Sequence, residues 1–352
     1  MALTDISSAV SRIAQGGLAV VVDDEERENE GDLIMAAELA TPETVAFMIR
    51  HTSGIICAPA EAGRLEALGL PLMVEQNSDP LRTAFTVSTD YARGMTTGVS
   101  AEERARTLNA LADDTVAADD FVRPGHIFPL RYRPGGVLVR SGHTASGGRP
   151  VPPRRSQTGR ALAELNHDDG TMMRLPELMQ FATEHGLPII SIEALIRYRA
   201  ENEELVRERR CQPVMLNGLR FDAHVFDSTL DGSEITALVN GDIDPGEPVL
   251  VRVIKGAPGK DFMASAIAGD NVISRSLEMI GNAKQGVFIY LPPEEGAPAD
   301  ETTGAVWREV GVGSHILASL GVRRIHLLAS KELSYPGIGS FGLEIETIIK
   351  ES

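Results

Sequence analysis

Twice along this chain of 352 residues, strand-like stretches alternate with stretches at helical spacing, and a run of charge divides the two series. That alternation confines the fold to sheets with helices packed on them. In the first series Ile6, Val10 and Ile13 recur at helical spacing behind Thr4 and Asp5, with Gly16 and Gly17 as the stop. Residues 18–22 read as a buried strand, and 53–58 as a short one. Thr41-Pro42-Glu43 opens a helix with proline in its first turn. Ser100 and Glu103 form a capping box for a helix over 101–111. "FVRPGHIFPLRY" (121–132) reads as an extended segment punctuated by Pro and Gly. Helices follow over 175–185, where Gly186 suits the closing position, and over 192–198. The second series holds strand-like "PVLVRVIKG", "GVFIYLP", "RRIHLLAS" and "GLEIETIIK", with helices over 274–280 and 313–320. The prediction is α+β: a first domain over 1–204 with a mixed sheet and flanking helices, then a second α/β domain over 205–352. The boundary is placed in the charged tract "RAENEELVRERRCQPV".

Composition narrows the partners. A formal charge of −17 disfavours nucleic acid or an anionic membrane, which need clustered Lys and Arg. Two cysteines, Cys57 and Cys211, make no disulfide framework. The first residues carry no basic-then-apolar leader, and no apolar run approaches the ~20 residues of a membrane span. A cytoplasmic protein is expected.

Several residues could carry chemistry. The apolar strand runs straight into "DDEERENEGD", where like charges crowd one turn. This is either a solvated loop or a place where a cation sits; Mg²⁺ takes carboxylates and keeps positions open for substrate oxygens. Arg27 adds a fork for an anion. "RSGHT", which is Arg140, Ser141, Gly142, His143 and Thr144, can hold a phosphate at a strand exit and leave His143 for a metal, or be polar surface. His126 follows Gly125 ahead of apolar residues, an invitation to a hydrogen-bonded imidazole. Glu164 closes an apolar run, as an acid/base group or merely as an element's end. Cys57 behind two isoleucines reads as a buried, inert thiol.

Four segments in order, "DDEERENEGDLIMAAE", "TAFTVSTDYARGMTTGVSAEERARTLNAL", "RPGHIFPLRYRPGGVLVRSGHT" and "NHDDGTMMRLPELMQFATEHGL", resemble the 3,4-dihydroxy-2-butanone 4-phosphate synthases of riboflavin biosynthesis. The resemblance spans most of residues 1–200. It implies a homodimer acting on D-ribulose 5-phosphate, with Glu28 and His143 as ligands to Mg²⁺ or Mn²⁺. Arg27, Glu28, Asp32, Arg140, Ser141, Gly142, His143, Thr144 and Glu164 would contact substrate, and His126 and Glu164 would be the catalytic pair.

The second half resembles GTP cyclohydrolase II through "LVNGDIDPGEPVLVRV", "GVGSHILASLGVRRIHLLAS" and "GIGSFGLEIE". That family binds zinc through three cysteines, whereas this half holds only Cys211. "LPPEEGAPAD" stands where the family has an arginine-rich loop. The expectation is no zinc and no cyclohydrolase activity. One segment departs from both textures: 145–160, "ASGGRPVPPRRSQTGR", has no period and no acidic residue, and reads as a loop. Its equal length but unrelated text is what two compensating frame changes would leave, which re-sequencing tests. Its prolines exclude a helix interior beside His143, so the alternative expectation is a catalytically impaired or scaffold protein of the same pathway.

Overall fold

The computed structural model describes residues 3–23, 29–79, 83–132, 136–138, 159–256, 272–292, 303–329 and 338–350. The chain divides into two compact units, Met1–Tyr198 and Arg199–Ser352. Unit 1 runs α1 (Ile6–Ala14), β1 (Ala19–Val22), β2 (Gly31–Ala36), α2 (Pro42–His51), β3 (Cys57–Ala60), α3 (Ala62–Ala67), β4 (Thr89–Tyr91), α4 (Ala101–Leu111), β5 (Phe121–Arg131), β6 (Arg160–Glu164), α5 (Leu175–His185) and β7 (Ile189–Ser191). α6 (Ile192–Asn202) carries the chain across the division.

Helix ends obey their caps. Thr41 accepts the Thr44 N–H ahead of Pro42, Ser100 and Glu103 close a reciprocal box, and Gly186 ends α5 at φ +61°. The seven strands of unit 1 form one mixed sheet in the order β4-β5-β3-β6-β2-β1-β7. β1 pairs antiparallel with β2 and parallel with β7, while β6 lies antiparallel to both β2 and β3. Alternation along β2 decides what each face does. Leu33 and Met35 enter the main core with Val45 and Met48 of α2 and Leu108 of α4, so Asp32 and Ile34 face the opposite side.

Unit 2 runs β8 (Val206–Leu216), β9 (Leu219–Ser228), β10 (Glu234–Asn240), β11 (Val249–Lys255), α7 (Val272–Asn282), β12 (Gly286–Leu291), α8 (Thr303–Ser319), β13 (Arg324–Ala329) and β14 (Glu344–Lys350). Its sheet, β14-β13-β11-β12-β10-β9-β8, is parallel on the β14 side and antiparallel from β12 to β8. Phe221, Ile280, Phe288 and Leu328 pack at its core.

The charged tract at 199–214 forms the end of α6 followed by most of β8. As the outermost strand of its sheet, β8 exposes nearly every side chain, so charge there conflicts with nothing. Arg160, read as the end of a loop, opens β6 and is buried; 145–158 lie outside the described residues. The strand expected over 53–58 begins only at Cys57.

Candidate active site

Glu164 is the last residue of β6, directly opposite Asp32 of β2. Opposed residues of an antiparallel pair share a face with Cα atoms roughly 5 Å apart, so the two carboxylates are neighbours. On the other side of Glu164, the Ser53 hydroxyl donates to its Oε2 at 2.9 Å, and the Ser53 N–H donates to its carbonyl at 2.9 Å. Asp32 is 1% exposed. Cys57 senses both charges: burial first, then Glu164 and Asp32, push its thiol well above the usual range. It is an inert thiol in a negative field, and a field of that sign suits a cation.

His126 is placed by a distortion of β5. Thr89 pairs with Ile127 and the next residue, Asp90, pairs with Val122, so Arg123, Pro124, Gly125 and His126 bow out of the ladder. Gly125 allows this, because a Cβ there would lie 2.1 Å from the Thr89 carbonyl carbon. The bow brings His126 onto buried Asp90 twice: its backbone N–H donates to Oδ1 at 2.8 Å, and Nδ1 lies 2.6 Å from Oδ2. A carboxylate is an acceptor only, so Nδ1 carries the proton and Nε2 is left to face solvent or substrate. The imidazole is 40% exposed, whereas the Asp90 side chain is 3% exposed.

Gly98 closes this arrangement at φ +80°, with the position of a Cβ only 2.0 Å from Asp90 Oδ2. The segment carrying Gly98 is tied to α4 by Glu103, which accepts from Thr96 and Ser100 through both backbone and hydroxyl groups. The Thr96 N–H first, then the Ser100 hydroxyl, hold the Glu103 carboxyl down at about 2. Because the folded value is depressed from 4.5, this contribution is present above pH 4.5 and is lost as pH falls toward 2. Hydrogen exchange should therefore show protection of the Thr96 amide declining across that window, and Glu103→Gln should abolish the dependence.

His126 and Glu164 stand at one end of the sheet. β5 and β6 flank β3, Cys57 pairs with both Phe128 and Leu162, and each candidate lies two residues beyond those pairs, past the start of β3. Two strand spacings put their backbones roughly 10 Å apart, with Gly54 and half-exposed Ile55 between them. Of the residues inferred from sequence, the structure thus brings together Asp32, His126 and Glu164. Arg27, Glu28, Arg140, Ser141, Gly142, His143 and Thr144 lie outside the described residues. Asp23 and Glu30, which bracket 24–28, clasp each other: the Glu30 N–H donates to Asp23 Oδ1 at 2.9 Å. Ser53, Asp90 and Gly98 were not inferred from sequence; an aspartate inside the strand-like "TVSTDY" was the one available signal.

Comparison with known proteins gives a family for each half of the chain. The profile of the 3,4-dihydroxy-2-butanone 4-phosphate synthase family matches residues 7–198, and that of GTP cyclohydrolase II matches 208–350. A monofunctional riboflavin biosynthesis protein, RIBA 2 of Arabidopsis thaliana chloroplasts, is 43% identical over 97% of this chain and 75% of its own length. The 3,4-dihydroxy-2-butanone 4-phosphate synthase of Neisseria meningitidis serogroup A is 38% identical over 97% of both chains. The two-domain synthase RibBX of A. baumannii superposes with a TM-score of 0.79 at 33% identity, covering 99% of this chain and 100% of that one. A synthase solved with two magnesium ions gives a TM-score of 0.54 at 39% identity, over 57% of this chain and 98% of that one.

Proposed function

The chain belongs to the 3,4-dihydroxy-2-butanone 4-phosphate synthase family, with a second segment of the GTP cyclohydrolase II family, and from that premise we propose that it converts D-ribulose 5-phosphate to L-3,4-dihydroxy-2-butanone 4-phosphate and formate. The observation that carries the reading is the convergence of Asp32, Glu164 and the Asp90-held His126 at the start of β3. The reaction removes a proton at C3, forms an enediol, expels water, rearranges the carbon skeleton, adds water back at C4 and releases C4 as formate. It needs proton carriers on more than one side of a short sugar chain. Glu164 and Nε2 of His126, at the same end of the sheet about two strand spacings apart, are proposed to supply them. Asp90 fixes the Nδ1–H tautomer and aims Nε2, and Ser53 orients the Glu164 carboxylate.

The negative field of Asp32 and Glu164 fits a divalent cation, Mg²⁺ or Mn²⁺, for which Glu28 and His143 are the proposed ligands. Such an ion supplies Lewis-acid stabilisation of charge on the substrate oxygens. Arg27, Asp32 and residues 140–144 are proposed to seat the sugar phosphate, and the protein is proposed to work as a homodimer. The second unit is proposed to lack GTP cyclohydrolase activity, since Cys211 is the one cysteine after residue 57; incubation with GTP should yield no formate. Among the described residues no helix is long and apolar enough to cross a membrane.

Formate release from ribulose 5-phosphate with Mg²⁺ tests the main reading. Asp90→Asn tests the positioning step: loss of the fixed tautomer should lower kcat about 10²-fold and displace the acidic limb of the pH–rate profile, with KM little changed. An unchanged pH profile would assign Asp90 a structural part only.

A further inference from the structure

Outside that site, unit 2 assembles a donor set that neither family resemblance assigns. Cys211 of β8 pairs directly across the ladder with His224 of β9, and Glu208 pairs with Phe226. In a regular strand residues 208 and 211 would point to opposite faces. Here the register shifts between Glu208 and Arg210, and Arg209 is the extra residue of a bulge. The bulge returns Glu208 to the face that carries Cys211 and His224. Cys211 Sγ lies 3.5 Å from His224 Nε2, and Glu208 Oε1 lies 2.9 Å from His224 Nδ1. One ligand atom from each of the three lies within 4.8 Å of the others. The imidazole is further steadied by stacking on buried Phe226, centroids 6.5 Å apart at 19°.

We propose that Cys211 Sγ and His224 Nε2 ligate a borderline divalent transition ion, of which Zn²⁺ is the expected occupant, with Glu208 on the Nδ1 side orienting the imidazole and the remaining coordination positions open to water. The donor chemistry selects the ion, since thiolate with imidazole suits zinc and not magnesium or calcium. The spacing is also right: bonds of about 2.3 Å to sulfur and 2.0 Å to nitrogen at tetrahedral angles put those donors about 3.5 Å apart. The thiolate ligand and the carboxylate behind the imidazole balance the charge of a dication. Read instead as a Cys–His–Glu relay, the group lacks a primed nucleophile, because burial and the charges of Asp222 and Glu208 push the Cys211 thiol up. The expectation of no zinc rests on a missing three-thiolate set; this cross-strand set is a different one.

The test titrates the metal-free full chain with Co²⁺, which reports a thiolate ligand by a near-ultraviolet charge-transfer band that a carboxylate–imidazole site elsewhere cannot give. One such site per chain, displaced by Zn²⁺, is expected. Cys211→Ser should remove the band and weaken Zn²⁺ binding on the order of 100-fold, and Glu208→Gln on the order of 10-fold, with unchanged circular dichroism. Cys57→Ser should keep the band. Absence of the band in the parent chain, its survival in Cys211→Ser, or full affinity in Glu208→Gln would overturn the site. The readout does not involve ribulose 5-phosphate, so it stands or falls apart from the synthase reading.

Discussion

Glu164→Gln is expected to lower kcat for formate release about 10³-fold while leaving the fold intact. General acid–base groups contribute 10²–10⁴-fold. Its neighbour Asp32 is 1% exposed and faces it from β2, whereas Ser53 approaches from the opposite side and brings a hydroxyl, not a base. Glutamine keeps the length of the side chain and can accept the Ser53 hydrogen bond, so β6 should hold its register against β2. Far-ultraviolet circular dichroism and thermal unfolding near parental values, with turnover lost, are the expected pair of results. Turnover within a few-fold of the parent would remove Glu164 from the chemistry.

The second large effect is expected from Glu28→Ala and from His143→Ala, each of which should abolish Mg²⁺-dependent turnover. A hard dication held through one carboxylate and one imidazole has little redundancy, and the stabilisation it lends to developing charge is worth several kcal/mol. The described surroundings sharpen the expectation. Were the proposed cation to sit beside Asp32 and Glu164, its removal would leave the negative field that raises the Cys57 thiol, and negative charge forming on substrate would meet it uncompensated. Activity should not be restored by raising Mg²⁺ to concentrations that saturate the parent. Restoration, or unchanged turnover in either variant, would reject the ligand assignment.

What could be read from sequence was local. The helix at 101–111 was legible because Ser100 and Glu103 declare its start, and the one at 175–185 because Gly186 accepts a left-handed backbone at its end. His126 and Glu164 stand out locally as an imidazole and a carboxylate and Asp32 through resemblance, but their proximity depends on the strand order β5-β3-β6-β2. Asp90 stayed hidden because its partner lies 36 residues away and reaches it only through the bow in β5. Ser53 reads as strand from sequence because Ile55 and Ile56 close by are apolar, yet regular pairing starts at Cys57. The same limit concealed Glu208, Cys211 and His224: regular alternation puts residues 208 and 211 on opposite faces, and only the bulge at Arg209 aligns the three.

The most direct measurement supplies the full chain and Mg²⁺ with ribulose 5-phosphate carrying ¹³C at C4, and follows the products by NMR. The synthase account predicts that the label leaves entirely as formate, in step with unlabelled 3,4-dihydroxy-2-butanone 4-phosphate. Substrate that remains intact, or label retained in a four-carbon product, would contradict it.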